Sequence, residues 1–265
     1  MTHHTIYGGN SAGQAVILAA GRGSRLGPLT ADRPKCLVPL HGVSLLDRTI
    51  DTLRRAGIER IGATVGYLAE QIPRPGLTIF PNADWETSGI LHSCASAREW
   101  LEDGPTLVIY GDIFFSVEAV KRVMAAPGDM VVAYDPRGVE LWQRRSDDPL
   151  SDLENFRIDS DSLICRIGGR PARLQDVQGQ YMGLLRLSAR GWSSLKQACS
   201  AFAPDRQRGM DMTTPLQRVI DDGVPVHGVA VDSPWGEIDT LDDLALYESL
   251  YGADVLAGMQ REAAP

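Results

Sequence analysis

Three groups of residues far apart in the chain carry side chains suited to chemistry on phosphate. The first runs Leu18-Ala19-Ala20-Gly21-Arg22-Gly23-Ser24-Arg25-Leu26-Gly27 and continues to Pro34-Lys35. Glycines let a backbone approach a ligand and present consecutive N–H groups, while cations neutralise a dense anion. Over residues 18–40 Arg22, Arg25, Arg33 and Lys35 are opposed by one acid, Asp32, in a chain of net charge -8, so the positive character is local. The second group is Gly111-Asp112 and the third Trp235-Gly236-Glu237-Ile238-Asp239-Thr240. An acid at a strand end can hold Mg²⁺, which takes one or two carboxylates together with phosphate oxygens and water. Glu237 and Asp239 stand two apart, which on extended backbone puts them on one side. Both acids also have ordinary readings, Asp112 as a turn or cap residue before Ser116 and Asp239 as the flank of a helix start capped by Thr240 with Asp243 in its first turn.

Regular elements must bring these groups together. The apolar run 15–19 reads as a buried strand, so the glycine turn follows it directly. Leu46, Ile50 and Leu53 recur at helical spacing over 45–56, which Gly57 ends; strands are expected over 60–67, 77–81 and 106–110, with a helix over 91–101. Later segments read as a strand over 181–187, helices over 189–201 and 212–222, a strand over 226–231 and a closing helix over 241–251. Such alternation predicts an α/β fold, a Rossmann-like mostly parallel sheet with helices on both faces, binding ligands at the carboxyl ends of its strands. Residues 135–177, rich in charge, Gly and Pro, read as an insertion over the substrate site, with a hairpin over 163–173 turning at Gly168-Gly169. Such an insertion is either part of a lid or a solvated excursion. One domain over 14–252 is expected between a flexible tail at 1–13 and a C-terminal tail at 253–265.

Length and composition narrow the rest. At 265 residues and 43% hydrophobic content the chain can bury a large core, and its pI near 5.1 argues against a nucleic-acid surface. No stretch reads as a membrane span or signal peptide, so a soluble cytoplasmic protein acting on small molecules is expected, with a homodimer left open. Cys36, Cys94, Cys165 and Cys199 form no Cys-x-x-Cys pair and read as buried free thiols, and His3-His4 as part of a loose tail. Two familiar glycine loops are excluded: a P-loop needs Gly-Lys-Ser/Thr where Gly27 is followed by Pro28-Leu29, and a dinucleotide fingerprint needs glycine at Leu26.

The segment from Leu18 to Leu26, with Pro34 and Lys35, resembles the Leu-Ala-Ala-Gly-x-Gly-x-Arg-Leu…Pro-Lys signature of the nucleotidyltransferase superfamily that makes nucleotide sugars and their relatives. Asp112 and the late acid follow in the superfamily's order. The resemblance implies a nucleotide-diphospho-sugar transferase-like fold and Mg²⁺ held by Asp112 and Asp239, with Glu237 available as a further ligand. It implies Arg25 at the β and γ phosphates, Lys35 at the α-phosphate and incoming oxygen, and Leu18, Ala19, Ala20, Gly21, Gly23, Ser24 and Gly111 around the nucleotide. Ser88, Gly89 and Ser93 fall on the segment that reaches the base. Within the superfamily, the Trp-x-Glu-Ile-Asp run and Gly179-Gln180-Tyr181-Met182-Gly183 resemble cytidylyltransferases acting on phosphocholine or on phosphonates such as 2-aminoethylphosphonate. Phosphocholine enzymes carry adjacent asparagines where this chain has Gly89 and Ile90, which favours a phosphonate or another small phosphorylated acceptor. Tyr181, Trp235 and Glu237 are the acceptor candidates, joined by Trp85, Trp142 and Tyr134 as aromatic faces and by Glu154, Arg144 and Arg170 as polar readers or solvated charges. Two alternatives stay open: a sugar-1-phosphate nucleotidyltransferase using UTP, dTTP or GTP, and a non-catalytic relative that binds nucleotide.

Overall fold

Strand β1 (Gln14–Ala19) is an interior strand of the sheet because every one of its side chains is buried: Ala15, Ile17 and Ala19 enter one core and Val16 and Leu18 the other. The computed structural model describes residues 13–259. Beside β1 run β2 (Arg60–Val65), β3 (Leu77–Pro81), β4 (Thr106–Tyr110), β5 (Met130–Asp135), β6 (Gln180–Leu187) and β7 (His227–Ala230). The seven-stranded order is β7-β5-β6-β4-β1-β2-β3. All strands are parallel in direction except β6, which pairs antiparallel with both β4 and β5. The mostly parallel sheet with helices on both faces is thus observed.

On one face lie α1 (Leu45–Arg55) and, later in the chain, the helix Val117–Ala125; each starts at a serine, Ser44 or Ser116, whose hydroxyl accepts the N–H three residues on. On the other face the helix expected over 91–101 is two, α2 (Ile90–Ala95) and α3 (Arg98–Asp103). The break falls at Ala97, which is fully buried and leaves helical geometry at φ -98° and ψ 24°. We label Val117–Ala125 α4, followed by α5 (Gly138–Arg145), α6 (Ala189–Ser200), α7 (Pro204–Arg208), α8 (Thr213–Asp221), α9 (Leu241–Leu250) and α10 (Ala253–Met259).

The 135–177 region departs from expectation in three respects. Asp135 closes β5, and α5 buries Leu141 and Trp142 in the first core, so the region begins as framework. The hairpin is formed by Phe156–Ile158 and Ile164–Ile167, not over 163–173. Its turn forms where the Asp159 carboxylate accepts the N–H groups of Asp161 (2.9 Å) and Leu163 (2.8 Å), an Asx turn that wins over Gly168-Gly169. Those two glycines, both at positive φ, instead leave the second strand. The C-terminal tail is also corrected, because residues 253–259 form α10 and bury Leu256. Cys165 is exposed, unlike the buried Cys36, Cys94 and Cys199. Of the tail expected over 1–13, residues 1–12, with His3-His4, lie outside the described residues. Among the described residues no helix is long and apolar enough to cross a membrane.

Candidate active site

The glycine turn leaves β1 at Ala20, whose carbonyl accepts the Tyr67 N–H (3.1 Å). Leu18 and Ala19 are buried strand residues beneath it, and Ser24 opens a short 3₁₀ segment, Ser24–Thr30. A side chain at Gly21 would meet nothing within 4 Å, so the backbone there faces open space. Gly23 is obligatory twice over: its φ is +72°, and a Cβ would lie 2.7 Å from Cγ of Lys35. Glycine at that point lets the lysine stem cross the turn.

The Lys35 ammonium ends between two acids, donating at 2.5 Å to Oδ2 of Asp112 and at 2.5 Å to Oδ1 of Asp239. Asp112 stands just past β4, where Gly111 passes close under β1, its N–H bonded to the Leu18 carbonyl at 3.0 Å. What joins acids so distant in sequence is a two-residue antiparallel pairing, Gly236 opposite Phe114 and Glu237 opposite Ile113, continued by the Ile238 N–H on the Asp112 carbonyl (3.0 Å). The pairing requires glycine at 236, since a Cβ would come within 2.5 Å of the Tyr247 ring and 2.6 Å of the Phe114 ring. Gly236→Ala is therefore expected to cost about 1–3 kcal/mol of stability, measured by urea unfolding, because both rings are buried.

Carboxylate oxygens of Asp112, Glu237 and Asp239 all lie within 4.8 Å of one another. Three cations balance them. Besides Lys35, Arg25 reaches Oδ1 of Asp239 at 2.7 Å from an exposed position, and Arg145 approaches from inside. The Arg145 side chain is only 5% exposed; its Nε bonds Asp243 at 2.8 Å, and its other nitrogens lie 3.8 Å from Glu237 and 3.9 Å from Asp239. Its guanidinium also lies over the Trp142 ring, 4.3 Å from the centroid. Asp243 in turn accepts the N–H groups of Asp239 (3.0 Å) and Thr240 (2.9 Å), completing the cap of α9 while fixing Asp239. Burial alone would lower the Lys35 ammonium, but Asp112, Asp239 and Glu237 outweigh it and hold it above the ordinary lysine range. Burial, with Asp112 and Asp239 beside it, pushes the Glu237 carboxyl up against the opposing pull of Lys35 and Arg145. Arg145→Met is expected to destabilise the fold by about 3–5 kcal/mol in the same unfolding assay, since it strands buried carboxylates without their cation.

A cavity of about 440 Å³ adjoins this cluster, and Arg25, Tyr110, Glu237, Asp239, Trp142, Glu154, Arg170, Gln180 and Tyr181 are among its lining residues. Of the acceptor candidates, Tyr181 and Glu237 thus line the cavity. Trp235 does not: it is 2% exposed, and its Nε1 donates to the Asp135 carboxylate at 2.8 Å inside the core. The indole N–H found a buried partner there, so the ring serves packing. Tyr134 stacks on Phe156, Trp85 packs on Tyr67 and Arg144 is exposed, all outside the cavity.

On the segment assigned to the base, Ser88 and Ser93 are tied together by Asn82, whose Nδ2 donates to both hydroxyls at 3.0 Å. Gly89 is a close-packing position, where a Cβ would lie 2.3 Å from the Met210 carbonyl, and its N–H bonds Arg208 at 2.7 Å. Asn82, Arg145 and Asp243 complete the site without having been singled out for it. Asp243 had a signal, its place in the capping box, whereas Arg145 falls in the stretch expected to be an insertion and had none.

A phosphate-type turn at the carboxyl edge of a mostly parallel sheet, facing clustered acids through one lysine, is the arrangement of enzymes that move nucleotidyl groups. Residues 15–159 match the MobA-like NTP transferase domain, and the chain belongs to that family. It is 29% identical over 246 residues to the CTP:phosphoglutamine cytidylyltransferase of Campylobacter jejuni, covering 87% of this chain and 97% of that one. It is 34% identical over 111 residues to the 2-aminoethylphosphonate cytidylyltransferase of Lancefieldella rimae, covering 40% and 45% of the two chains. The inositol-1-phosphate CTP transferase of T. maritima has the same fold, with a TM-score of 0.71 at 20% identity, over 96% of this chain and 99% of that one.

Proposed function

We propose that the protein is a cytidylyltransferase that joins CMP from CTP to a small phosphonate or phosphorylated acceptor and releases pyrophosphate. The observation that carries the reading is the Lys35 ammonium held between Asp112 and Asp239 under the glycine turn. An acceptor phosphonate oxygen attacks the α-phosphorus of CTP; the new P–O bond forms as the bond to the β-phosphate oxygen breaks, and pyrophosphate leaves with that electron pair. The attacking oxygen is already ionised at neutral pH, so the protein's task is alignment and charge neutralisation rather than proton removal. Lys35 neutralises the α-phosphate and the incoming oxygen, Arg25 the departing pyrophosphate, and the open backbone at Gly21 admits the nucleotide. Ser88 and Ser93, held by Asn82, serve the base.

The acid cluster suits Mg²⁺: its donors are hard oxygens, and Oδ1 of Asp112 is buried without a hydrogen-bond partner. Asp112, Asp239 and Glu237 would hold the ion, which supplies Lewis-acid neutralisation of the phosphates. CTP as nucleotide and a phosphonate-class acceptor are supported by the relatives with cytidylyltransferase names. The test is to incubate the pure protein with Mg²⁺, each nucleoside triphosphate and a set of phosphonate, phosphorylated and sugar-1-phosphate acceptors, and read products by mass. A CMP adduct with pyrophosphate is expected; a product formed only from a sugar 1-phosphate with UTP, dTTP or GTP would replace this reading.

A further inference from the structure

We propose that Asn82 is the positioning residue that sets base preference: by donating to both Ser88 and Ser93 it turns their hydroxyl hydrogens outward, so that the pair offers two donors to neighbouring acceptor atoms of the base. The proposal rests on the cytidylyltransferase reading, which gives these serines to the base, and adds the device by which the protein tells cytosine from uracil.

The direction of every bond in this network is fixed. Asn82 follows β3 directly, is 3% exposed, and its N–H bonds the Val65 carbonyl at 2.8 Å. Its Oδ1 accepts the Asp84 N–H at 3.0 Å. A backbone N–H can only donate, so this bond identifies the amide oxygen and leaves the NH₂ group facing the serines. That group has two hydrogens, and the hydroxyl oxygens of Ser88 and Ser93, each 3.0 Å away, take one apiece. Each hydroxyl therefore accepts from Asn82 and keeps its own hydrogen to give elsewhere. Among the described residues the Ser93 hydroxyl finds only the Gly89 carbonyl, at a long 3.5 Å and already accepting the Ser93 N–H at 3.2 Å, and the Ser88 hydroxyl finds no acceptor.

The segment is seated beside the glycine turn. At Gly66, just past β2, a Cβ would lie 2.4 Å from the Trp85 side chain and 2.8 Å from the Ala20 carbonyl, so the stretch that carries Asn82 and Ser88 borders the turn that meets the nucleotide. Cytosine has two neighbouring acceptors on its hydrogen-bonding edge, N3 and the 2-carbonyl oxygen, whereas uracil has an N–H in place of the first. Outward hydroxyl donors match cytosine. Against uracil one of them meets another donor, and both groups lose the partner they had in water.

The test is isothermal titration calorimetry of the full chain in Mg²⁺ with CTP, UTP and 3-deaza-CTP, in which a C–H replaces the ring nitrogen N3. The unaltered chain should bind CTP about tenfold or more tighter than either of the others, the worth of one well-made hydrogen bond in a site that leaves its donor unpaired otherwise. In Asn82→Asp the carboxylate accepts from both hydroxyls and turns their oxygens outward, so the CTP-to-UTP affinity ratio should fall by about tenfold or more, towards UTP. The added charge repels both triphosphates alike, so the ratio reads the base alone. A merely structural role for Asn82 would weaken both nucleotides together and leave the ratio where it was. An unchanged ratio in a folded Asn82→Asp overturns the proposal and leaves CMP transfer standing. Equal binding of CTP and 3-deaza-CTP by the unaltered chain does the same, and that comparison decides the matter if Asn82→Asp does not fold. An unaltered chain that prefers UTP or a purine triphosphate overturns the cytidylyltransferase reading and this proposal with it.

Discussion

Lys35→Ala lowers kcat for CMP transfer by about 10²–10³-fold or more while the protein stays folded, the loss that follows removal of one preorganised charge at a developing anion. The lysine is placed before any ligand arrives: its stem crosses Gly23 and its ammonium bonds Asp112 and Asp239. The two bonds fix the ammonium beside the acid cluster before the reaction begins, which is where such a cation has its value. The fold should survive because Lys35 opens a short turn outside both cores, Arg25 and Arg145 still balance Asp239, and Asp112, which loses its cation, is 19% exposed and can be solvated. Steady-state kinetics together with a thermal melt check both halves. A folded variant within about tenfold of the parent rate would remove the lysine from the phosphate site.

Asp239→Asn is expected to have the next largest effect, because this one carboxylate answers Lys35, Arg25 and Arg145 at once. Asparagine keeps the size and one oxygen but not the charge, so any fall in rate reports electrostatics and metal binding rather than a cavity. Turnover should drop by about 10²–10³-fold, and the Mg²⁺ concentration for half-maximal rate should rise by at least about tenfold. Mn²⁺ binding followed by electron paramagnetic resonance reads the second effect without relying on activity. Unchanged Mn²⁺ affinity would show that the ion sits elsewhere.

The glycine turn, the strand before it and the order of βα units were legible in the sequence because each rests on local physics. An all-apolar run must be buried on both sides, glycines let a turn bring its N–H groups to an anion, and Thr240 caps its helix through a bond three residues long. The same locality misled where two local signals competed, as at Gly168-Gly169 against the Asx turn at Asp159, and where one helical pattern covers two helices that break at Ala97.

The sequence by itself determined which residue types could meet phosphate and metal, since chemistry of that kind needs glycine, cations and acids at strand ends. The tertiary structure alone decided which of them meet. The short pairing of Gly236–Glu237 with Ile113–Phe114 carries two acids to Asp112, and packing brings the buried Arg145 in as their inner counterion. It also took Trp235 into the core and buried the Gln180 side-chain oxygen without a partner. The physical reason is that a side chain's partner across a hundred residues depends on how sheet and helices pack, and no interval in the sequence encodes it.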